Sequence, residues 1–339
     1  MKKILISGGA GFIGTNAVHY FAKKGWNVCL LDNLSRKGSE ENLIWLESQK
    51  DYSFIFKKID IRESRDIDKL FKENNFDALI HLAGQVAVTT SIDNPRDDLD
   101  INILGTFNLL ESIRKYSPNT TMINASTNKV YGELENYDVI EEDLSYKYKS
   151  HLNGISESAL LDFHSPYGCS KGSADQYVLD YARIYDIKAT TFRQSCIYGP
   201  RQHGSQDQGW ISWFIISSLS KRPINIYGNG KQVRDVLYID DLIRAYDLAI
   251  SQSSNITGEA FNIGGGSSNS ISLIQCINMI AEILDTKVEY NFSDPRPGDQ
   301  KIFVSDISKI SKSLNWEPTY SVKKGVGNLI KWTKTELDL

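Results

Sequence analysis

Cysteine, histidine and proline are scarce in this sequence of 339 residues, which contains 4, 5 and 8 of them. The cysteines lie far apart, at positions 29, 169, 196 and 276, without the Cys-x-x-Cys spacing that zinc and redox sites use. The same separation argues against a disulfide framework, so we expect reduced thiols in a cytoplasmic protein. No metal ion is predicted.

Long apolar runs and an excess of basic residues are also missing. No run approaches the ~20 apolar residues that span a bilayer, and 38 Lys+Arg against 42 Asp+Glu give a net charge of -4. We therefore expect no membrane association and no nucleic-acid partner. The N-terminal MKKILISGGAGFIG starts like a signal peptide, but glycines follow its short apolar stretch at residues 4–6, which favours a strand.

Short apolar runs alternate with stretches of helical spacing up to about residue 130. This alternation predicts βαβ units and an α/β fold, a Rossmann-type doubly wound parallel sheet with helices on both faces. The predicted strands are residues 3–7, 27–31, 54–59, 77–82 and 121–125, and the predicted helices are residues 13–24, 66–73 and 97–116.

The pattern loosens near residue 195, where Gly and Pro become frequent in segments such as GPRQHG, YGNGKQ and DPRPGD. We predict a Rossmann domain over residues 1–195 and a smaller C-terminal domain over residues 196–339. The second domain is expected to consist largely of loops and of helices such as residues 271–284. The chain is expected to return to the first domain around residues 233–262.

A glycine motif follows the first predicted strand and opens the first predicted helix. Gly8, Gly11 and Gly14 would allow a tight turn and a close approach of the backbone to a pyrophosphate at the helix N-terminus. Asp32, at the end of the next strand, would bind the ribose hydroxyls of NAD and repel the 2′-phosphate of NADP. Arg36 and Lys37 could still neutralise that phosphate. The structural alternative is a glycine turn followed by a capping aspartate.

A second pattern is Tyr167-x-x-x-Lys171, in which both side chains share one helix face. A phenol with a pKa of about 10 is a poor base at neutral pH, but a neighbouring ammonium and a nicotinamide cation would lower that value. Thr127 lies at the end of the fifth predicted strand, and its hydroxyl could bind the oxygen that Tyr167 deprotonates. Without such partners, the Tyr–Lys pair would be an ordinary surface pair.

These motifs, in this order along the chain, resemble the extended short-chain dehydrogenase/reductase family of NAD-dependent epimerases and dehydratases. The resemblance rests on the Gly-x-x-Gly-x-x-Gly spacing and on DIR (60–62), HLAG (81–84), STNKVYG (126–132) and YGCSK (167–171). It implies NAD as cofactor and Thr127, Tyr167 and Lys171 as catalytic residues. The cofactor-binding residues that it implies are Gly8, Gly11, Phe12, Ile13, Gly14, Asp32, Asn33, Asp60, Ile61, Leu82, Ala83, Gly84, Tyr167 and Lys171.

Longer segments, HLAGQVAVTTSIDNP, LDFHSPYGCSKG and GNGKQVRDVL, are similar to nucleotide-sugar epimerases that act at C2 of a CDP-sugar. This resemblance implies transient oxidation of C2 to a 2-keto sugar, hydride return to the opposite face, and a role in making surface polysaccharide. It also implies a homodimer or homotetramer formed through helices around residues 97–116 and 167–185. The substrate-binding residues that it implies are Gln85, Thr127, Asn128, Ser165, Gln208, Arg234 and Arg296.

Other activities stay open at this point. Dehydratases of the family carry an Asp-Glu pair after the threonine, whereas this chain has Asn128-Lys129, which argues against loss of water. An epimerase or dehydrogenase acting at C4, or on a UDP-, GDP- or dTDP-sugar, is the main alternative, and a non-catalytic NAD-sensing protein is another. Two departures bear on the sugar: Cys196 stands where many relatives have Asn, and residues 132–163 resemble the epimerases only in patches.

Overall fold

The computed structural model describes residues 1–295 and 300–336. Its strands, in chain order, are β1 Lys3–Ser7, β2 Asn27–Asp32, β3 Phe54–Lys58, β4 Ala78–His81, β5 Thr121–Thr127, β6 Val139–Glu141, β7 Tyr146–Tyr148, β8 Ala189–Gln194, β9 Cys196–Tyr198, β10 Ile224–Tyr227, β11 Val233–Tyr238, β12 Ala260–Ile263, β13 Ser270–Ser272, β14 Tyr290–Ser293 and β15 Ile302–Phe303. Its α-helices are α1 Phe12–Lys23, α2 Ser39–Glu47, α3 Ser64–Glu73, α4 Val88–Asp93, α5 Pro95–Leu99, α6 Gly105–Tyr116, α7 Ser165–Tyr185, α8 Trp210–Leu219, α9 Ile239–Ser251, α10 Leu273–Leu284, α11 Ser308–Leu314 and α12 Val322–Glu336.

Seven parallel strands of the described chain form the central sheet, in the order β12-β8-β5-β4-β1-β2-β3. Apart from the edge strand β3, its strands are largely buried, with Ile4, Leu5 and Ile6 at 0% exposure, because helices cover both faces. The α/β doubly wound prediction is confirmed. The strand order changes direction between β1 and β4: β2 and β3 lie on one side of β1, and β4, β5, β8 and β12 lie on the other. Doubly wound sheets bind ligands at the carboxyl ends of the two strands at such a change of order.

The helix predicted at residues 97–116 is divided in the structure. It begins earlier, at Pro95, where the side chain of Asn94 caps α5. A π-helical turn, Asp100–Leu104, then separates α5 from α6. Apolar spacing in the sequence did not distinguish this turn from an α-helix, because both place apolar residues on similar faces.

The C-terminal part contains more strands than we predicted. β9, β11, β13 and β15 form a small sheet, and β10 pairs with β14, within the described residues. Helices and loops still make up most of this part; the sequence did not indicate the strands, because strands of 2 to 6 residues are too short to show a clear alternation. β11 stays in this small sheet, whereas α9 packs against α1 and β12 joins the central sheet beside β8.

Residues 132–163 form a separate layer against the small sheet. They contain the β6–β7 hairpin, and Tyr148 donates a hydrogen bond from its hydroxyl to the carbonyl of Ile302 at 3.0 Å. The amide of Ile155 bonds the carbonyl of Val304 at 2.7 Å. This segment therefore completes the core of the C-terminal part. Among the described residues, no helix has the length and apolar character needed to cross a membrane.

Candidate active site

A cavity of about 690 Å³ opens at the carboxyl ends of the central strands and extends towards the small sheet. Two sets of residues face each other across it: the glycine motif and strand ends of the first half, and the β9, β10 and α8 region of the second half. Among its lining residues are Gly8, Gly11, Phe12, Ile13, Gly14, Asp32, Asn33, Asp60, Ile61, Leu82, Ala83, Gly84, Thr127, Tyr167, Lys171, Gln208 and Arg234. All the predicted cofactor-binding residues thus lie on one continuous surface.

The glycine turn leaves no room for side chains. Gly8 has a φ of +70°, and a Cβ atom there would lie 2.6 Å from the amide nitrogen of Ala83. A Cβ atom on Gly14 would lie 2.1 Å from the carbonyl oxygen of Gly8. α1 begins here with no side-chain cap and no acidic residue in its first turn. Its free amides therefore form a cradle that suits a diphosphate.

Two carboxylates lie beside this cradle at the ends of β2 and β3. Asp32 accepts hydrogen bonds from the amides of Ala10 at 3.0 Å and Leu34 at 2.8 Å. Burial raises the pKa of Asp32, and these backbone bonds oppose the rise. Asp60 accepts from Asn33 at 2.8 Å, and hydrogen bonds from Arg62 hold the pKa of Asp60 at about 2. Both carboxylates can accept hydrogen bonds from the hydroxyl or amine groups of an adenosine.

Thr127, Tyr167 and Lys171 meet at the cavity wall, each less than a tenth exposed. Thr127 ends β5, and the other two lie one turn apart on α7. The Thr127 hydroxyl lies close enough to the Tyr167 phenol to lower the pKa of that phenol. Lys171 donates from Nζ to the carbonyl of Ala125 at 2.5 Å. The tertiary fold thus brings residues 40 positions apart in the sequence (127 and 167) into one cluster.

Burial shifts the pKa values of two groups in this cluster. Burial raises the pKa of Tyr167, and Asp98 raises it further, whereas Thr127 and Arg36 act in the opposite direction. Burial also lowers the pKa of Lys171 to about 8. The expected lowering of the Tyr167 pKa included a nicotinamide cation and stays a prediction; in the protein alone, removal of water raises this pKa.

Three predicted substrate residues make contacts inside the protein. The Gln85 side chain turns back to the carbonyl of Ala87 at 2.7 Å. Asn128 is buried and donates to Gln300 at 3.5 Å. Ser165, at a φ of 64°, accepts from the amide of Gly168 at 3.2 Å at the start of α7. These residues follow the motifs closely in sequence, but their side chains point to neighbouring backbone or to the interior.

The other predicted substrate residues divide into two groups. Gln208 and Arg234 line the cavity, and the Arg234 guanidinium donates to the carbonyl of Val233 at 2.8 Å. Arg296 lies outside the described residues. Cys196 also lines the cavity, where burial raises the pKa of its thiol and the Trp210 side chain contacts it.

Sequence reasoning missed part of the cavity wall. The far wall includes Gln206, Asn225, Ile226, Tyr227 and Trp213, which come from β10, α8 and the preceding loop. Gln206 donates to the Tyr227 hydroxyl at 2.6 Å. No motif marks these positions, since β10 is a four-residue strand. Residues 132–163, which could have covered the sugar, pack instead against the opposite side of the small sheet, and the described cavity wall contains none of them.

The fold and this site define the class of protein. Residues 5–329 match the family described as GDP-mannose 4,6 dehydratase. The chain belongs to this family of NAD-dependent nucleotide-sugar epimerases and dehydratases, and it is an enzyme.

Individual proteins that are similar to this chain have named activities. The chain is 45% identical over 338 residues to a CDP-paratose 2-epimerase of Salmonella typhi, covering 98% of this chain and 99% of that protein. It is 31% identical over 347 residues to a dTDP-glucose 4,6-dehydratase of Salmonella typhimurium, covering 97% and 92%. The structure of a UDP-glucuronic acid 4-epimerase from Bacillus cereus, solved with UDP-glucuronic acid and NAD, superposes with a TM-score of 0.83 at 30% identity, covering 98% and 99%.

Proposed function

We propose that this protein is an NAD-dependent CDP-paratose 2-epimerase. The observation that carries the proposal is the 45% identity over 98% of the chain to an enzyme of that activity. The site is compatible with it, because a hydroxyl, a phenol and an ammonium converge beside a dinucleotide-shaped cleft. The pair Asn128-Lys129 offers no carboxylates for the loss of water, so an epimerase fits better than a dehydratase.

The cradle described above fits NAD, which when bound accepts and returns the electrons and hydrogen exchanged with the sugar carbon. The α1 amides would hold its diphosphate, and Asp32 would accept from the ribose hydroxyls. Asp60, Asn33 and Ile61 would hold the adenine end. The main chain at Leu82, Ala83 and Gly84 borders the middle of the cleft, where Gly84 leaves space in front of Lys171.

Tyr167 is the general base in this mechanism. Its phenolate takes the proton of the C2 hydroxyl as that carbon is oxidised. After the 2-keto sugar has rotated in the site and is reduced on its other face, the phenol gives the proton back to the C2 oxygen. Thr127 holds the same sugar oxygen by a hydrogen bond. The Lys171 ammonium favours the phenolate. A hydrogen bond from Lys171 Nζ to the carbonyl of Ala125 holds the ammonium in place.

Substrate binding is assigned to the opposite wall of the cavity. There Arg234 binds the diphosphate, for which guanidinium geometry is suited, and Gln208 contacts the nucleotide. Arg296 stays a predicted second diphosphate contact. Gln85, Asn128 and Ser165 stay predicted sugar contacts. We assign residues 1–195 mainly to the cofactor and residues 196–339 mainly to the CDP-sugar.

We further propose a cytoplasmic homodimer or homotetramer that supplies a sugar for surface polysaccharide. Support for the oligomer comes from α6 and α7, where the exposed rings of Phe107, Tyr177 and Tyr185 lie around the buried Tyr181. Phe107 lies 6.0 Å from Tyr177 and 6.2 Å from Tyr181 between ring centroids, and Tyr181 lies 4.9 Å from Tyr185. An exposed apolar face of this kind suits a second copy of the chain.

Proton NMR of the purified protein with CDP-paratose in D₂O, without added cofactor, tests the function. The expected result is a new 2-epimer signal with hydrogen retained at C2, since bound NAD would hold that hydrogen out of exchange with solvent. Deuterium at C2 would show enolisation and contradict the hydride mechanism. If CDP-paratose is unchanged while a UDP-, GDP- or dTDP-sugar is converted, the alternative epimerase or dehydrogenase applies. If no nucleotide sugar is converted but NAD binds, the protein is an NAD-sensing one.

A further inference from the structure

Asp98, on α5, is a fully buried acidic residue next to the exposed Asp97. One carboxylate oxygen accepts a hydrogen bond from Ser170 Oγ, and the other accepts from Asn102 Nδ2 at 3.3 Å. Acceptance at both oxygens fits the ionised carboxylate, and both donors are neutral. Since a buried charge with neutral partners is costly, this position calls for an explanation beyond folding.

The hydrogen bonds of Asp98 connect it to the helix that carries the catalytic pair. Ser170 immediately precedes Lys171, and its Oγ also accepts from Asn102 Nδ2 at 3.0 Å. A Cβ atom on Gly84 would lie 2.9 Å from Asn102 Oδ1 and 3.8 Å from Lys171 Nζ, so the amide and the ammonium border the same small space. Asp98 therefore lies behind the Tyr167–Lys171 pair, in the layer of side chains that supports it.

The charges around this pair come from several elements. Asp98 on α5 acts on both Tyr167 and Lys171, whereas Asp175 acts on Lys171 from α7. Arg36, from the connection after β2, acts on Tyr167.

The remaining ionisable groups nearby are compensated or neutral. Asp175 is paired with Arg193 of β8 at 3.0 Å, and Asp100 of the π turn is paired with Arg96 at 2.7 Å. On β4, burial lowers the pKa of His81 to about 3, so its ring is neutral near pH 7. Asp98 is thus a buried carboxylate that acts on both catalytic groups and has neutral hydrogen-bond partners.

We propose that Asp98 is a positioning residue whose buried charge, held by Ser170 and Asn102, sets the pH range in which Tyr167 and Lys171 catalyse the reaction. Its negative charge disfavours the Tyr167 phenolate and favours the Lys171 ammonium. Asp98 thereby keeps the lysine charged, and it moves the pH range in which the Tyr167–Lys171 pair is active to higher pH. This inference rests on the proposed epimerase function for its kinetic readout only.

The test is the pH profile of Asp98→Asn, which removes the charge and keeps the shape of the side chain. Loss of the negative charge lowers the pKa of both Tyr167 and Lys171, so both limbs of the kcat profile should move to lower pH, by about one unit. Asp93→Asn, an exposed change on α4, is the matched control and should leave the profile in place. A uniform loss of kcat with unmoved limbs would mean a merely structural role and overturn the proposal.

A second measurement does not depend on the substrate. Tyrosinate absorbance is titrated in the protein and in its Tyr167→Phe counterpart, and the difference reports the ionisation of Tyr167. The midpoint should fall by about one unit in Asp98→Asn, and an unchanged midpoint would overturn the proposal even if CDP-paratose proves to be the wrong substrate. If Asp98→Asn does not fold, Asp98→Ser removes the same charge, and the same shift is expected.

Discussion

Arg193 and Asp175 form a two-point ion pair in the core, which ties β8 to α7, the helix that carries Tyr167 and Lys171. Arg193 Nε lies 3.1 Å from Asp175 Oδ2 and Nη2 lies 3.0 Å from Oδ1, with side-chain exposures of 4% and 0%. Arg193 Nη1 also donates to the Tyr131 hydroxyl at 3.1 Å. Helix α7 is therefore fixed to the sheet by a buried charged contact as well as by apolar packing.

Asp175→Asn should destabilise the protein strongly, because it leaves the Arg193 guanidinium buried without a counter-charge. We expect a loss of about 3–5 kcal/mol in the free energy of unfolding, measured by urea denaturation. Asp180→Asn on the same helix removes an exposed partner of Arg183 and should cost less than about 1 kcal/mol. An equal loss of unfolding free energy in the two variants would show that the buried ion pair stabilises the protein no more than an exposed one.

Tyr167→Phe should abolish most of the epimerisation and leave the fold intact. The variant loses the group that we propose as acceptor of the sugar proton, and general acid–base catalysis contributes about 10²- to 10⁴-fold to rate. Turnover is followed by NMR and the fold by circular dichroism. Tyr177→Phe, two helical turns or more along α7 and exposed, is the control and should keep its activity. Full activity in Tyr167→Phe would remove the phenol from the mechanism.

Asp32→Asn should weaken NAD binding and reduce the preference for NAD over NADP. The carboxylate can accept from two ribose hydroxyls and repels a 2′-phosphate, whereas the amide does neither as well. Each lost hydrogen bond to a charged group is worth about 1.5–3 kcal/mol, so we expect affinity to fall by roughly tenfold to a hundredfold. Calorimetry of cofactor-stripped protein with both dinucleotides measures this. The exposed Asp51→Asn should bind like the parent protein.

Acid should destabilise the protein partly through His81. Its ring lies between Ser7 Oγ at 2.7 Å and Thr106 Oγ1 at 2.9 Å, and burial lowers its pKa from 6.5 to about 3. The unfolded chain therefore binds a proton that the native protein rejects, and stability present above about pH 6.5 is lost as the pH falls towards 3. We expect urea unfolding of His81→Gln to depend less on pH in this window. His151→Gln, at an exposed site, should keep the parental dependence.

Tyr177→Glu should dissociate the proposed oligomer. The substitution places a charge in the exposed aromatic cluster between α6 and α7, where burial against a second copy would be unfavourable. Sedimentation velocity at micromolar concentration should show a dimer or tetramer for the parent protein and a monomer for the variant. Ile44→Glu, at an exposed position of α2, should leave the oligomeric state of the parent protein unchanged. A monomeric parent protein would contradict the proposal.

Much of the fold was predictable because its signals are local. Strands such as Ala78–His81 are continuous apolar runs, and the predicted ends of β1 to β5 lie within two residues of the observed ones. The glycine motif was equally clear, since a Cβ atom at Gly14 or Gly8 would lie only 2.1 or 2.6 Å from neighbouring backbone, which excludes any other residue there. In contrast, the π turn at Asp100–Leu104 and the short strands of the small sheet left no periodic pattern.

The sequence by itself determined the family, the order of the motifs, the NAD cradle and the identity of the Thr–Tyr–Lys cluster, since these depend on backbone conformation and on a few residues at fixed spacing. The tertiary structure alone decided which side chains face the cavity. It bonded Gln85 to Ala87 and Asn128 to Gln300, brought β10 to the far wall, and buried Asp98 behind Lys171. Burial also raised the pKa of Tyr167, because the loss of water around an ionisable group depends on every element packed against it.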